Sequence, residues 1–244
     1  MKHVIIGGVA GGATAAARIR RADENSEIIL LEKDKHISYA NCGLPYYIGG
    51  VISDRNKLFV QTPASFGKRF NIDVRIGNEV IGINTGQKQV TVRRTDGGEY
   101  VESYDRLLLS PGSEPVRPSL KGVDLDGIFT LRNVEDTDRI KDYIETHNVK
   151  KAVVVGGGFI GLEMAENLCY AGIHVAIVEM TDQVMAPVDF SMASHVHRQL
   201  IDNGVALYLN REVDRFETKN GRLHVFFGNN ESIESDMVLL SIGV

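Results

Sequence analysis

The sequence feature that most constrains this chain is a glycine-rich turn that joins an apolar segment to an Ala-rich, helical segment. Residues 4–6 are apolar, the turn reads Gly-Gly-Val-Ala-Gly-Gly over residues 7–12, and the Ala-rich stretch continues to Arg21. A buried strand, a tight turn and a helix start in this order form an anion site, because the first helical N–H groups have no partner within the helix. The turn therefore predicts a cradle for a diphosphate.

A second glycine turn repeats the pattern over residues 156–161, where it reads Gly-Gly-Gly-Phe-Ile-Gly. An acid stands near the end of the next apolar segment in each case, Glu32 after the first turn and Glu179 after the second. An acid at this distance can accept a hydrogen bond from a ribose hydroxyl. One such turn is a weak signal, since ordinary strand–helix turns also contain glycine. Two turns with two acids predict two dinucleotides, which suggests that electrons pass between them.

The two halves of the sequence share one plan beyond the turns. After the acid each half has β-like segments typical of an antiparallel insert, and an apolar strand ending in Ser-x-Gly closes each half at residues 110–112 and 241–243. The insert segments are 74–83, 89–92 and 99–104 in the first half, and 211–217 and 222–227 in the second. This repeat predicts an α/β fold with two Rossmann-like domains, each a parallel sheet with helices plus an antiparallel β-meander insert.

The boundary between the domains is predicted in a connection at residues 113–126, which contains Pro and Gly. We therefore expect one domain at residues 1–113 and the other at residues 114–244. Thr62-Pro63 is a helix-start signal for a helix that runs to about Arg69. Further helices are predicted at about 134–146, 159–171 and 189–202.

Composition narrows the class of protein. The formal net charge is −5 and hydrophobic residues make up 43% of the chain, so a buried core is expected and a nucleic-acid partner held by positive charge is not. No stretch is apolar for the roughly 18 residues that a membrane span needs. An apolar strand is expected by Val4, which leaves no room for a signal peptide, so a cytoplasmic protein is expected.

The two cysteines lie in different contexts, and a structural disulfide between them is not expected in a reducing compartment. Cys42 follows Asn41, a plausible cap, at or near the start of a short helix, where N–H groups favour the reactive thiolate. It is interpreted as a redox centre, with a buried structural cysteine as the alternative. Cys169 lies on the second-half helix and is interpreted as a small buried hydrophobic residue.

Three stretches together resemble the FAD-dependent pyridine nucleotide–disulfide oxidoreductases. They are the turn at residues 7–12, the segment Ser38-Tyr39-Ala40-Asn41-Cys42, and Gly-Gly-Gly-Phe-Ile-Gly-Leu-Glu at residues 156–163. The Ser-x-x-Asn-Cys stretch is the more specific signal. Within the family the chain is similar to the single-cysteine branch, which includes coenzyme A-disulfide reductases, persulfide reductases, and NADH oxidases and peroxidases. The resemblance covers essentially the whole chain.

The resemblance implies a function and a set of site residues. The resemblance implies that hydride passes from NADH to FAD and that electrons then pass to the sulfur of Cys42, which forms a mixed disulfide with a small thiol. No Cys-x-x-Cys motif is present, so the resolving thiol is external or the working form is a sulfenic acid. The implied cofactor residues are Gly7, Gly11, Gly12 and Glu32 for FAD, and Gly156, Gly158, Gly161 and Glu179 for the pyridine nucleotide.

Other residues carry weaker expectations, each with a structural alternative. Arg21, and less so Arg18, are candidates for a coenzyme A phosphate, although cations at a helix C-terminus are favourable in any case. Lys68 and Arg69 are weaker candidates of the same kind. Ser38 and Asn41 orient the bound thiol or serve as loop and cap residues.

Two positions on the second-half helix and one acid concern the pyridine nucleotide. Phe159 covers the flavin until nicotinamide enters, or packs between helix and sheet. Glu163 reaches the nicotinamide end, or lies on the surface. Glu179 predicts NADH over NADPH, because a carboxylate accepts from a free 2′-hydroxyl and repels a 2′-phosphate.

The sequence also departs from the family pattern. Val9 stands where the general fingerprint has its middle glycine, and the chain ends at Val244, whereas family members continue into the rest of the FAD domain and an interface domain. The resemblance therefore implies a C-terminally truncated chain of a protein that is a homodimer at full length. The histidines, including His195 and His197, have no spacing typical of a metal site, so no metal is assigned.

Three functions remain open from the sequence. The first is an NADH-dependent reductase of coenzyme A disulfide or a related disulfide or persulfide. The second is an NADH oxidase or peroxidase that uses a Cys42 sulfenic acid. The third is a non-catalytic nucleotide-binding fragment. In each, the partners are small molecules.

Overall fold

The computed structural model describes residues 1–228 and 230–244. It divides the chain into two compact units. The first unit comprises Met1–Ala40 and Asn56–Ser113, and the second comprises Asn41–Arg55 and Glu114–Val244. The segment with Cys42 therefore belongs to the second unit, although the sequence places it between parts of the first.

The described chain contains both helices and strands. The helices are α1 Gly11–Ala22, α2 Leu44–Ile48, α3 Pro63–Phe70, α4 Val134–Thr146, α5 Phe159–Tyr170 and α6 Phe190–Asp202, with 3-10 turns at Asn41–Gly43 and Arg55–Leu58. The strands of the first unit are β1 Lys2–Ile6, β2 Glu27–Glu32, β3 Asp73–Ile76, β4 Asn78–Asn84, β5 Gln89–Arg94, β6 Glu99–Ser103 and β7 Arg106–Leu109. Those of the second are β8 Ile128–Thr130, β9 Lys151–Val155, β10 His174–Val178, β11 Ala206–Tyr208, β12 Val213–Lys219, β13 Arg222–Phe227, β14 Glu231–Ser235 and β15 Met237–Leu240.

The first unit is built on a parallel sheet in the order β3-β2-β1-β7. Apolar side chains of β1 and β2 are buried on both faces, as is usual for parallel strands covered on two sides. On one face, Ala13 and Ala16 of α1 pack against Ile5 and Leu30, and the small alanines let the helix approach closely. This packing places the N-terminus of α1 at the carboxyl end of β1.

The antiparallel sheet β4-β5-β6 covers the other face of this parallel sheet. Val90 and Val92 of β5 form one buried cluster with Val4 and Leu31. The predicted meander is therefore present, but its first strand is shorter than the predicted segment. Residues 73–76 pair with β2 in the parallel sheet, and Gly77 then turns the chain with a φ of +65° before β4 begins.

The second unit repeats the arrangement. Its parallel sheet has the order β11-β10-β9-β15-β8, and its antiparallel sheet has the order β12-β13-β14. Phe216 and Val225 of the antiparallel sheet are buried in one cluster with Val153 and Val238 of the parallel sheet. Two strands, β8 and β14, are not predicted by the sequence. Strand β8 has only three residues. Strand β14 has the largely polar sequence Glu-Ser-Ile-Glu-Ser, because one of its faces is exposed.

Both units therefore have the predicted architecture, and the α/β fold with two Rossmann-like units and antiparallel inserts is confirmed. The helix predicted to start at Thr62-Pro63 is also confirmed, because Thr62 caps α3 by accepting from the Ser65 N–H. Among the described residues, no helix combines the length and the apolar character needed to cross a bilayer.

Candidate functional site

The first glycine turn forms a tight cradle between β1 and α1. Gly7 has a φ of +94°, and a Cβ on it would lie 1.9 Å from the Ser110 carbonyl oxygen. A Cβ on Gly12 would lie 1.7 Å from the Gly7 carbonyl oxygen, and one on Gly11 would lie 2.6 Å from Ser110 Oγ. Among the described residues, no side chain caps the start of α1. The N–H groups of its first turn therefore face the cradle, as a diphosphate site requires.

Glu32 stands beside this cradle with a fixed carboxylate. The Gly8 N–H donates to its Oε2 at 2.7 Å, and the Asp34 N–H donates to its Oε1 at 2.9 Å. Glu32 is only 5% exposed. Because a carboxylate has further lone pairs, it can also accept from a ribose hydroxyl in this position. The geometry fits the expected role.

The second glycine turn reproduces the geometry of the first. Gly156 has a φ of +105°, and a Cβ on it would lie 2.4 Å from the Ser241 carbonyl oxygen, while a Cβ on Gly161 would lie 2.1 Å from the Gly156 carbonyl oxygen. The Gly157 N–H donates to Glu179 Oε2 at 2.7 Å, as Gly8 does to Glu32. The duplicated sequence pattern is therefore a duplicated site geometry.

Glu179 is held more firmly than Glu32 but is less buried. The N–H and the hydroxyl of Thr181 both approach its Oε1 at 2.8 Å. Thr181 Oγ also lies 2.8 Å from the Gln183 carbonyl oxygen, so its single proton has two acceptors. Glu179 is half-buried, in contrast to the buried Glu32.

A cleft of about 470 Å³ opens beside the second cradle. Gly156, Gly158 and Glu179 line it, as does Ser241. No described group hydrogen-bonds the buried Ser241 Oγ, and a Cβ on Gly158 would meet nothing within 4 Å. The open position at Gly158 leaves space for a nucleotide to approach the backbone of the turn. The remaining described lining residues are Pro118, Leu120, Val155, Gly157, Val178, Met180, Thr181, Arg211, Glu212, Val213, Phe216, Leu240, Ile242 and Gly243.

The first unit has a separate pocket of about 430 Å³ along α1 and α3. Arg21 and Arg69 line it, each from the last turn of its helix, together with Ser38. Arg21 donates its Nε to the Ala17 carbonyl oxygen. Two guanidinium groups at one pocket suit an anionic, phosphate-bearing ligand.

The neighbouring arginines have other positions. Arg20 donates to the carbonyl oxygens of Phe70, Asn71 and Glu24, and so ties the end of α1 to the end of α3. Arg18 is exposed and is not among the described residues that line the pocket. The three arginines of α1 thus differ in position: Arg20 has a structural role, Arg21 lines the pocket and Arg18 lies on the surface.

Ser38 adopts a backbone conformation that is uncommon for a residue other than glycine. Its φ is +47°, its N–H donates to the Gly8 carbonyl oxygen at 2.9 Å, and its carbonyl oxygen accepts from the Val60 N–H at 2.8 Å. Such strain persists only where the surroundings impose it, and it is frequent at functional sites. The first glycine turn therefore positions Ser38 at the pocket.

Cys42 is exposed and lies in the 3-10 turn Asn41–Gly43, immediately before α2. The expected proximity to a short helix is found, but the expected cap is wrong. Gly43, with no side-chain bond, precedes α2, because Asn41 is already part of the 3-10 turn. Asn41 therefore serves no capping role for this helix.

The segment that carries Cys42 is anchored within the second unit. Gly49 follows α2 and packs so close to Asn167 of α5 that a Cβ on it would lie 2.6 Å from the Asn167 carbonyl oxygen. Arg55 binds both carboxylate oxygens of Asp138 on α4, at 2.8 and 2.7 Å. An exposed thiol is thus held on a firmly attached segment, which suits a reactive group.

Phe159 and Glu163 do not lie among the described lining residues of the cleft beside the second cradle. Both line a groove of about 590 Å³ on α5 and α6, and Phe159 is 62% exposed. Cys169 lines the same groove, and burial raises the pKa of its thiol, so it is a thiol at neutral pH. The structure thus separates Cys169 from Cys42 in exposure and in surroundings.

One histidine of α6 supports the backbone of the preceding loop. His197 Nε2 accepts from the Val184 N–H at 3.1 Å. Among the described residues, no group of three or more His, Cys, Asp or Glu side chains is arranged to hold a metal ion.

Arg69 is a weaker candidate than Arg21 from the sequence alone. It lines the same pocket as Arg21 because α3 ends beside α1, a packing that no local sequence signal specifies. The sequence does not single out Thr14 and Gln61, which also line that pocket. Nor does it single out Arg211, which lines the cleft of the second unit. The unusual φ of Ser38 has no signal in the sequence either.

Comparison with known proteins agrees with this geometry. The family model described as pyridine nucleotide-disulphide oxidoreductase matches residues 1–244. A curated relative, coenzyme A disulfide reductase of Staphylococcus aureus strain JH9, is 40% identical over 243 residues, which are 99% of this chain and 54% of the relative. The chain thus spans about half the length of the curated relatives it matches.

Solved structures give the same result. Reduced Bacillus anthracis CoADR-RHD is 50% identical with a TM-score of 0.96, covering 99% of this chain and 43% of that one. A NAD-dependent persulfide reductase from A. fulgidus is 34% identical with a TM-score of 0.94, over 100% of this chain and 45% of that one. A water-forming NADH oxidase from Lactobacillus brevis, bound to NADH, is 28% identical with a TM-score of 0.92, covering 100% of this chain and 54% of that one.

Proposed function

Because the chain belongs to the pyridine nucleotide–disulphide oxidoreductase family, we propose that it acts in a flavoprotein that passes hydride from NADH through FAD to Cys42. Cys42 in turn reduces coenzyme A disulfide or a related disulfide or persulfide. The observation that carries this proposal is the pair of equivalent cradles, in a chain that also exposes one cysteine on an anchored segment.

We assign FAD to the first cradle and the pyridine nucleotide to the second, in the proposed domains at residues 1–113 and 114–244. The difference in burial between the acids supports the assignment. Glu32 is buried, which suits a cofactor that stays bound, whereas the half-buried Glu179 suits one that exchanges at each turnover. Bound FAD would supply the capacity to accept a hydride and to release it as two electrons.

Within the second cleft, Glu179 favours NADH. Its carboxylate can accept from the free 2′-hydroxyl of NADH, and its charge opposes a 2′-phosphate. Met180, the next residue, supplies no cation at this point. Phe159 remains a candidate to cover the flavin until nicotinamide enters, and Glu163 remains a candidate for the nicotinamide end.

The pocket of the first unit supports coenzyme A as the substrate. Coenzyme A carries phosphates, and Arg21 and Arg69 line that pocket with Ser38. An arginine can bind a phosphate through two parallel hydrogen bonds. We therefore propose that Arg21 and Arg69 bind the nucleotide end, and that Ser38 and Asn41 orient the sulfur end. Arg18 is a weaker candidate, since it does not line the pocket.

The chemical step follows from the exposed thiol. The Cys42 thiolate attacks one sulfur of coenzyme A disulfide, forms a mixed disulfide with it and expels the other coenzyme A as a thiolate. Two electrons that originate in NADH then reduce the mixed disulfide. This releases the second coenzyme A and restores the Cys42 thiolate. When both coenzyme A products are protonated to thiols, one proton comes from the oxidation of NADH and the other from solvent.

A second function is favoured by one comparison, because a water-forming NADH oxidase shares the fold along the whole chain. In that case the Cys42 thiolate attacks peroxide to give a sulfenic acid and water, and oxygen as the acceptor is first reduced to peroxide by two electrons from NADH. The paired arginines of the first-unit pocket favour the disulfide reductase, since neither oxygen nor peroxide carries a phosphate for them to bind.

The test compares Cys42→Ser with Cys169→Ser in the purified protein. Anaerobic NADH oxidation is followed with coenzyme A disulfide as acceptor, together with the absorption spectrum of the flavin. Cys42→Ser is expected to abolish the reduction and the long-wavelength thiolate–flavin band. Cys169→Ser should retain both, because Cys169 is a protonated thiol in a separate groove.

Two results would contradict the proposal. The first is full turnover in Cys42→Ser, which would show that Cys42 takes no part in the reaction. The second is NADH oxidation that occurs with oxygen or peroxide as the acceptor but not with coenzyme A disulfide. That result would support an NADH oxidase or peroxidase in place of the disulfide reductase.

A further inference from the structure

Arg211 lies next to the acid of the coenzyme cleft, on the loop that follows β11. Its N–H donates to the Glu179 carbonyl oxygen at 2.9 Å, and the Asn210 N–H donates to the Thr181 carbonyl oxygen at 2.9 Å. Arg211 lines the cleft together with Glu179, Met180 and Thr181. The backbone pairing therefore fixes the base of the Arg211 side chain at the rim where a ribose 2′ group would be placed.

Arg211 also lines a second cavity of about 670 Å³ that adjoins the cleft. There its Nε lies 3.6 Å from Glu231 Oε2, with the two side chains 43% and 61% exposed. An exposed ion pair of this kind changes the equilibrium constant between its paired and unpaired states by about five-fold at most. Its Nη1 also donates to the Asn210 carbonyl oxygen at 3.2 Å, in an exposed position. Both contacts are exposed to solvent, so Arg211 is held only weakly and can turn towards either cavity.

The charges around the cleft make this mobility relevant to the coenzyme. Among the described residues that line the cleft, Arg211 is the one with a positive charge, and Glu179 and Glu212 are negative. Glu179 already accepts from Gly157 and Thr181, which partly offsets its charge towards a ligand. A 2′-phosphate in the cleft would then lie near the positive charge of Arg211 and beside Glu179, whose negative charge is partly offset by these hydrogen bonds.

We propose that Arg211 is a specificity residue that lets the cleft accept NADPH in addition to NADH. On leaving Glu231, its guanidinium binds the 2′-phosphate and offsets the repulsion from Glu179. Glu231 sets how readily this occurs, because it competes with the phosphate for the same guanidinium. The inference rests on the proposed function, in which the second unit binds a pyridine nucleotide.

The test measures dissociation constants of NAD⁺ and NADP⁺ by titration calorimetry, without turnover. Arg211→Gln is expected to weaken NADP⁺ binding by about ten-fold, the scale of a lost charge-assisted hydrogen bond, and to change NAD⁺ binding by less than about two-fold. Glu231→Gln should tighten NADP⁺ binding by up to about five-fold and leave NAD⁺ unchanged. The benefit of Arg211 to NADP⁺ should shrink with added salt.

Arg198→Gln is the matched control, since it removes the same charge from the exposed face of α6. It should leave the ratio of the two constants unchanged. Equal weakening of both nucleotides by Arg211→Gln, or no effect on either, would overturn the inference, as would a wild-type protein that binds NAD⁺ but not NADP⁺. A wild-type protein that binds neither would refute the coenzyme cleft itself, and this inference with it.

Discussion

At the scale of single residues, two glycines of the second turn serve different physical purposes. Gly156 is required by the backbone, because its φ is +105° and a Cβ would lie 2.4 Å from the Ser241 carbonyl oxygen. Gly158 has an ordinary φ of −78°, and a Cβ on it would meet nothing within 4 Å. The fold therefore does not require glycine at Gly158, whereas a diphosphate approaching the backbone does.

This contrast predicts opposite outcomes for two alanine substitutions. Gly156→Ala should lower the free energy of unfolding by about 1–3 kcal/mol or more, because the side chain has no space and the φ is unfavourable. Gly158→Ala should stay within about 0.5 kcal/mol of the wild type and yet weaken NAD⁺ binding. Thermal unfolding and NAD⁺ titration of both variants test this. Loss of stability in Gly158→Ala, with binding retained, would show that the two roles are assigned wrongly.

The limits of sequence reasoning are also visible at this scale. The glycines and both acids could be found, because strand, turn, helix and acid follow each other at fixed distances. The distinction among the arginines of α1 could not. Arg18, Arg20 and Arg21 are equivalent as cations near a helix end, and only the packing of α3 beside α1 decides which one lines a pocket.

At the scale of elements, one carboxylate joins three strands of the first unit. Glu102 on β6 accepts from Lys2 on β1 at 2.6 Å and from Arg75 on β3 at 2.6 Å. The Glu102 side chain is 12% exposed. Burial raises its pKa, but the hydrogen bonds from Lys2 and Arg75 outweigh this and leave the pKa below its ordinary value of 4.5. The antiparallel sheet is thereby tied to the parallel sheet.

The stability that Glu102 contributes should therefore depend on pH. Because the folded-state pKa is lowered, the contribution is present above the ordinary pKa of 4.5 and is lost as the pH falls through the lower folded-state value. Glu102→Gln should reduce the free energy of unfolding by about 1–3 kcal/mol at pH 7. The difference from wild type should shrink below pH 4.5. Urea unfolding at pH 7 and in acid measures it.

Glu99 provides the control for this experiment, since it lies on the same strand and pairs with Arg93 at 3.2 Å with both side chains about half exposed. Glu99→Gln should cost less than about 1 kcal/mol at either pH. If the two substitutions have equal effects, the link between the sheets does not depend on Glu102.

The elements that the sequence predicted best are those whose pattern is local. Apolar runs identified β1 and β9, and the start signal Thr62-Pro63 identified α3. The structure also shows a cap that the sequence analysis did not name, since Asn133 at the start of α4 accepts from the Asp136 N–H. The placement of residues 41–55 in the second unit was not predicted. It depends on contacts distant in sequence, such as Arg55 with Asp138, which leave no periodic signal.

At the scale of the whole molecule, duplication extends to the pockets. Met185 has a φ of +54° and donates its N–H to the Gly157 carbonyl oxygen at 2.8 Å, as Ser38 does to Gly8 in the first unit. The groove that Met185 lines is thus the counterpart of the arginine pocket. Where that pocket has Arg21, the groove has Tyr170, and Glu163 and Glu166 also line it. Duplicated pockets of opposite charge character favour coenzyme A in the first unit.

The assignment of one dinucleotide to each unit leads to the last prediction. Substitutions at distant, independent sites have separable effects. Glu32→Gln should therefore lower the flavin content of the purified protein without changing its affinity for NAD⁺. Glu179→Gln should weaken NAD⁺ binding by about ten-fold, the scale of one hydrogen bond to a charged group, and leave the flavin content unchanged.

Flavin absorbance after purification and NAD⁺ titration measure the two effects in the same samples, and thermal unfolding shows whether each variant is folded. Glu32 makes two hydrogen bonds to backbone N–H groups in a buried position, so some loss of stability is expected in Glu32→Gln. Crossed effects, in which Glu32→Gln weakens NAD⁺ and Glu179→Gln depletes flavin, would mean that the two cradles hold the opposite cofactors. Equal effects of each substitution on both cofactors would mean that the cradles do not act as separate sites.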